Sequence, residues 1–330
     1  MKIKEAFLGI FIILIVLVLI IPIPSFLLDF LFMLNIFFAV LILLDAIYSK
    51  KALDMNMFPT ILLVSTLFRI SLNLSSTKLI LLKGDAGKVV ETFGQFVAGG
   101  NMVVGVIIFL ILVLVNFMVI TKGSERVSEV TARFTLDAMP GKQMAIDADL
   151  NSGLIDEQQA KMRRAKIQRE ADFFGSMDGA TKIVKGDAIV SLIITAINLI
   201  GGMVIGMISG SMQLGEVAHV YSIASVGDGL VSQLPALMIS TGTGMIVTRA
   251  VSEGSLNDDV SKQFLAQPRA IMFSGGAILF LSIVPGMPKL QMIVIGSILV
   301  FTGQRLSKKM KDQAAAQQLA EAGEIGRAHV

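Results

Sequence analysis

Of the ionisable residues in or at the edge of long apolar runs, Asp29, Arg69, Asp187 and Asp228 are the candidates for chemistry, while Asp45 lies close to a membrane interface. A charge at the centre of a bilayer costs roughly 2.5 kcal/mol or more even on insertion scales, so each of these side chains is expected to face protein or water. A carboxylate in such a place is a candidate proton or ion carrier, because partial desolvation raises its pKa while a nearby cation lowers it. Asp187 follows Lys185 at the start of an apolar run, and Asp228 sits between Gly227 and Gly229. Glycines there allow either close helix approach or a water-filled crevice. For Asp187 the plainer alternative is an interfacial Asp stabilised by a helix dipole. For Asp29 and Arg69 it is an interhelical ion pair or hydrogen bond. A third set lies in a polar segment. Arg126 and Arg133 are seven residues apart, on one helix face, and Asp137 follows Arg133 by one turn, within ion-pair reach.

The elements that must hold these residues are read from hydropathy. Hydrophobic residues make up 54% of the 330-residue chain and charged residues 16%, with a mean hydropathy of +0.76. That composition excludes an ordinary soluble domain. Eight apolar runs approach the roughly 20 residues a spanning helix needs, at 7–23, 26–47, 58–82, 102–121, 188–209, 226–248, 270–284 and 290–304. The fold class expected is all-α: a polytopic membrane protein of about eight transmembrane helices with a helical cytosolic insert between spans 4 and 5. Pro285-Gly-Met-Pro288 predicts a tight turn joining the last two spans into a hairpin. The first run ends in Ile-Pro-Ile-Pro rather than a small-residue cleavage site and reads as a retained anchor.

The positive-inside rule places both ends in the cytosol. Lys2, Lys4, Lys50, Lys51, the insert, Arg249, Lys262, Arg269 and Arg305 then fall inside, against Lys78, Lys83 and Lys88 outside. The insert, 122–186, carries eleven Lys/Arg and ten Asp/Glu between Lys122 and Lys185, a pattern that suits a folded, ion-paired element. A helix is predicted over 124–136, a turn at Met139-Pro-Gly141, an acidic stretch over 146–149 and a second helix over 154–174, capped by Asn151 or Ser152. Asp147 and Asp149 have calcium-loop spacing without the later ligands, and no metal or other cofactor is expected.

With no Cys, no Walker A sequence, no nucleophile elbow and no His-Glu-x-x-His motif, the reading is a non-enzyme. His219 reads as a surface residue near an outer loop. An ion-coupled machine component and a secondary transporter of a small solute both fit intramembrane charges, and the size and charge pattern of the insert suit the first better; a purely structural ring scaffold needs no titrating Asp187.

The ordered motifs narrow this. Arg126, Arg133, Asp137, Met139-Pro-Gly-Lys-Gln-Met-Ala-Ile-Asp-Ala-Asp149, Arg169-Glu-Ala-Asp-Phe-Phe-Gly-Ser-Met-Asp-Gly-Ala-Thr-Lys182, Val184-Lys-Gly-Asp-Ala-Ile189 and, upstream, Phe68-Arg-Ile-Ser-Leu-Asn73 resemble the signature of the FHIPEP family. These are the large export-gate proteins of flagellar and virulence type III secretion, and the resemblance reaches to about Gly323. It implies a multi-pass protein of the inner membrane, N-terminus cytosolic, in a homo-oligomeric ring of nine. The ring would work with other export-gate membrane proteins, the export ATPase complex, chaperone–substrate complexes and membrane lipids, and no nucleic acid. It implies coupling of ion-motive force to export of unfolded proteins, with Asp187, and less directly Asp228, in ion coupling and Arg126, Arg133 and Asp137 on a coupling surface. The domains expected are spans 1–4 over 1–121, the insert, spans 5–8 over 187–306, and the start of a linker over 307–323. Residues 324–330 are what an in-frame sequencing adapter encodes, and are expected to be foreign to the fold.

Overall fold

The computed structural model describes residues 3–49, 51–99, 101–209, 213–248, 266–283 and 288–328. Lys2, Lys50, Arg249, Lys262, the turn residues Pro285, Gly286 and Met287, and His329 and Val330 lie outside them. Every described element is helical. In chain order these are α1 (Ile3–Ile20), α2 (Ser25–Tyr48), a 3-10 turn (Ala52–Met55), α3 (Phe58–Lys83), α4 (Lys88–Ala98), α5 (Met102–Val115), a π-helical segment (Asn116–Thr121), α6 (Lys122–Asn151), α7 (Glu157–Ser209), α8 (Leu214–Thr248), α9 (Pro268–Leu281) and α10 (Lys289–Ala328). Six helical stretches among the described residues are long and apolar enough to cross a membrane, and α1 and α9 supply two shorter apolar segments. The chain is thus a multi-pass, all-helical membrane protein.

The chain divides into two compact units, Met1–Glu253 and Gly254–Val330. In the first, α8 is the central post: α2, α4, α5, α6 and α7 all pack on it, and α3 packs on α7. Its apolar core has two main parts. One, around Phe32, Phe68, Leu72 and Val231, joins α1, α2, α3, α4 and α8; the other, around Phe58, Phe174, Met177 and Ile239, reaches from the membrane helices into the insert. In the second unit α9 and α10 form the antiparallel hairpin that the sequence predicts. They meet through Gly275 and Gly296, where a Cβ on Gly275 would lie 2.9 Å from the Gly296 carbonyl oxygen.

The structure corrects the sequence reading of the insert. The helix expected to end before Pro140 continues as α6 to Asn151, with Pro140 on its exposed face. There water can solvate the carbonyl that the missing N–H leaves free. The second helix does not stop near Phe174; α7 runs unbroken from Glu157 through the insert and the fifth span to Ser209. Its cap is neither Asn151 nor Ser152. The Asp156 carboxylate accepts the Gln159 N–H at 2.6 Å, and the Gln159 side chain accepts the Asp156 N–H at 3.3 Å, a reciprocal capping box. α6 and α7 pair antiparallel through Lys142–Glu170 (3.0 Å), Arg163–Asp149 (3.0 Å), Arg164–Asp147 and Lys185–Glu125 (2.9 Å). The two Asp residues with calcium-like spacing are therefore bound to arginines. Within α7, Asp178 accepts from Lys182 at 2.7 Å and holds that ammonium's pKa above its ordinary value.

α4 is an element the hydropathy scan passes over. Asp29, on α2, caps it from outside its own sequence: one carboxylate oxygen accepts the Lys88 N–H and the other the Val89 N–H, each at 3.0 Å. The turn before it needs Gly87, whose φ is +103° and whose Cβ, were there one, would strike the Asp29 carboxylate. Asp29→Ala is expected to lower stability by about 1 kcal/mol, the usual worth of a helix N-cap. Asp29→Asn should lose less. Thermal unfolding of the detergent-solubilised protein measures both.

Candidate functional site

Asp187 does not open a helix. It lies inside α7, 2% exposed, and its carboxylate is ion-paired with the guanidinium of Arg69 on α3, itself 1% exposed. The alternative of an interfacial Asp on a helix dipole gives way to a buried salt bridge between partners 118 residues apart. Asp228 likewise lies well within α8, which begins twelve residues earlier than hydropathy indicates, at Leu214. It is 1% exposed and accepts a hydrogen bond from the Asn198 amide at 3.1 Å.

Between these two carboxylates runs a ladder of polar side chains. α3 and α7 are parallel and α8 antiparallel to both, so Arg69, Asn73 and Ser76 face Asp187, Ser191, Thr195 and Asn198 on α7, and Ser232 and Asp228 on α8. At the middle rung Asn73 ties all three helices: its amide donates to the Ser191 hydroxyl at 2.9 Å, and its carbonyl oxygen accepts from the Ser232 hydroxyl at 2.5 Å. At the far rung the Ser76 hydroxyl lies beside the Asp228 carboxylate. Asp187 and Asn198 are eleven residues apart, about 16 Å along a helix axis. Several atoms on the ladder have no hydrogen-bond partner among the described residues: Arg69 Nε and Nη1, and one oxygen each of Asp187, Asn198 and Asp228. Buried polar atoms are normally satisfied. Open acceptors on both carboxylates leave each able to take a proton or coordinate a small cation.

Sequence reasoning singled out Arg69, Asp187 and Asp228 separately; it missed Asn73, Ser191, Asn198 and Ser232 as members of the same ladder. The signal was present. Residues 69, 73 and 76, and 187, 191, 195 and 198, recur at helical spacing and place polar groups on one face of each apolar helix.

The remaining candidates stand apart. Asp29 is the α4 cap. Arg126, Arg133 and Asp137 lie on the exposed side of α6, where Arg126 pairs with Glu129 at 2.8 Å and Arg133 with Asp137 at 3.8 Å. The second pair is the one the sequence predicts, with side chains 81% and 69% exposed. Exposed pairs of this kind contribute about 0–1 kcal/mol, so these charges are free to engage another surface. Lys78, which counts against the expected orientation, donates to the carbonyls of Leu19 and Ile20 at the end of α1, at 2.7 and 3.2 Å.

A multi-pass helical protein with a paired charge buried between parallel helices, and a long helical insert continuous with one of them, defines the class. The FHIPEP family model matches residues 15–328, and the chain belongs to that family. It is 51% identical to the flagellar biosynthesis protein FlhA of Bacillus subtilis (strain 168) over 310 residues, covering 94% of this chain and 46% of that protein. It is 47% identical to the low calcium response locus protein D of Yersinia pestis over 317 residues, 96% of this chain and 45% of that protein. It is also 48% identical to the harpin secretion protein HrpI of Erwinia amylovora over 319 residues, 93% of this chain and 45% of that protein. The chain thus spans about half the length of the curated relatives it matches. No solved structure matches it.

Proposed function

We propose that this chain forms the membrane part of a type III export gate, in which ion movement along the α3–α7–α8 ladder is coupled to export of unfolded proteins. The observation that carries the reading is the placement of Asp187 and Asp228 at the two ends of one buried polar ladder, with Asp187 on the same uninterrupted helix as the insert. A change in the charge state of Asp187 alters its attraction to Arg69. α7 is continuous, so strain at that pair is transmitted directly to the α6–α7 hairpin. Arg126, Arg133 and Asp137 then present the moving surface to partner proteins. The protein acts as a conduit and coupler rather than an enzyme.

Counting α1 and α9 with the six longer stretches gives eight crossings. In the inner membrane these put the N-terminus, the insert and the end of α10 on the cytosolic side. The named relatives support flagellar or virulence export as the setting. A homo-oligomeric ring, nonameric in this reading, assembles with other export-gate membrane proteins. The cytosolic ATPase complex and chaperone–substrate complexes engage chiefly through a further cytosolic domain of the whole protein.

The test is cytosolic pH in cells under an imposed inward proton gradient. Wild type is expected to acidify the cytosol faster than Asp187→Asn at equal membrane abundance, and the same substitution in the full-length protein should abolish motility while assembly persists. Equal acidification and intact motility would remove Asp187 from the ion path.

A further inference from the structure

Two cavities in the first unit abut at Thr60; the first is lined almost wholly by apolar groups, and the second adds four charged side chains. The first, about 360 Å³, is an apolar groove between α1, α2 and α3, walled by Phe11, Phe38, Ile61, Val64 and Phe68, with Met55, Met57 and Asp45 lining its 3-10-turn end. The second, about 530 Å³, lies between the 3-10 turn and the insert part of α7, and is lined by Asp54, Thr60, Lys166, Arg169, Asp172 and Phe173, among others.

We propose that together they form a binding site for one aminophospholipid from the leaflet on the insert side, headgroup in the charged cavity and one acyl chain in the groove. The dimensions support it. From Met57 to Phe68 the groove follows α3 for eleven residues, about 16 Å. That is half of a hydrocarbon core of about 30 Å, the depth one leaflet's chain occupies. The charged cavity lies at the insert end of the groove, where a headgroup would sit.

The charges select the headgroup. Lys166 makes no hydrogen bond or ion pair with any described residue. Arg169 donates only its Nε, to the Ala165 carbonyl at 3.3 Å, which leaves both terminal nitrogens for a phosphate. The two carboxylates are each partly engaged: Asp54 accepts the Lys51 N–H at 3.1 Å and Asp172 accepts from Gln168 at 2.9 Å. Each retains acceptor capacity for an ammonium. A zwitterionic phosphoethanolamine satisfies both pairs of charges. A glycerol headgroup satisfies only the cations and leaves the carboxylates facing added negative charge. This site is independent of the ion ladder, and the proposal stands or falls without it.

The experiment is native mass spectrometry of the whole 330-residue protein in detergent, titrated separately with dioleoyl phosphatidylethanolamine and dioleoyl phosphatidylglycerol. Wild type is expected to retain one phosphatidylethanolamine in preference to phosphatidylglycerol. Loss of two charge-assisted contacts in Lys166→Ala/Arg169→Ala should weaken retention by about tenfold or more. Val64→Trp, which fills the groove, should weaken it as well, with helix content checked by circular dichroism. Equal uptake of the two lipids, or retention unchanged in the Lys166→Ala/Arg169→Ala variant, overturns the proposal.

Discussion

Arg69→Leu is expected to destabilise the protein by about 3–5 kcal/mol, the cost of removing one partner from a buried ion pair. The reason is the state in which it leaves Asp187. That carboxylate is 2% exposed and its second oxygen already lacks a partner among the described residues, so without Arg69 it must either ionise unpaired or bind a proton. The double variant Arg69→Leu/Asp187→Leu removes both charges and should recover much of the loss, because well-packed apolar residues often replace a buried pair at little cost. Asp187→Asn keeps an oxygen that accepts from the guanidinium but leaves the buried Arg69 charge uncompensated, so it too is expected to lose stability. Thermal unfolding in detergent, with membrane abundance measured alongside, is expected to place wild type above the double variant, and the double variant above Arg69→Leu. If Arg69→Leu unfolds with wild type, the pair is hydrated in the working protein and the ladder is not a dry one. The ordering also protects the functional test. An Asp187→Asn protein that is abundant yet inactive points to coupling rather than folding.

The residues also show which parts of this architecture a single sequence can carry. The spanning helices were legible because roughly 20 apolar residues in a row have few other uses, and the α9–α10 hairpin because prolines and a glycine punctuate it. The pairing of Arg69 with Asp187 was not. The two are separated by 118 residues, and hydropathy places Asp187 at the edge of a span because the preceding turns of α7 are polar. Those turns are polar because they belong to the insert, yet the helix does not break there. Pro140 misled for a related reason: an exposed proline costs a helix less when water takes up the freed carbonyl, so a sequence signal for a turn became a feature of α6. α4 was missed because eleven residues are too short to register as a span; its apolar face, through Val90, Gly94 and Ala98, is laid against α8.

That contact fixes the role of the glycines around Asp228. The glycines beside it serve close approach, not a crevice. A Cβ on Gly227 would collide with the Val90 carbonyl oxygen and lie 3.0 Å from the Gly94 nitrogen, and one on Gly94 would collide with the Ile223 carbonyl oxygen, so the backbones of α4 and α8 touch. Gly229 is closed on the other side by the Phe109 ring and the Thr195 hydroxyl. None of the atoms met by Gly227 is a side-chain end that could swing away. Gly227→Val must therefore part the helices, at a cost of 1–3 kcal/mol for overpacking and more where backbone has to move. Gly227→Ala should fall in the same direction by a smaller amount. Gly175→Ala on α7 is the contrast: nothing lies within 4 Å of its added methyl, and a mid-helix glycine gives up roughly 0.5–1 kcal/mol relative to alanine, so that variant should gain stability. Melting temperatures of the three proteins decide the matter. A Gly227→Val protein as stable as wild type would mean that α4 is not seated on α8 in the membrane, and that Asp228 is reached from that side by water.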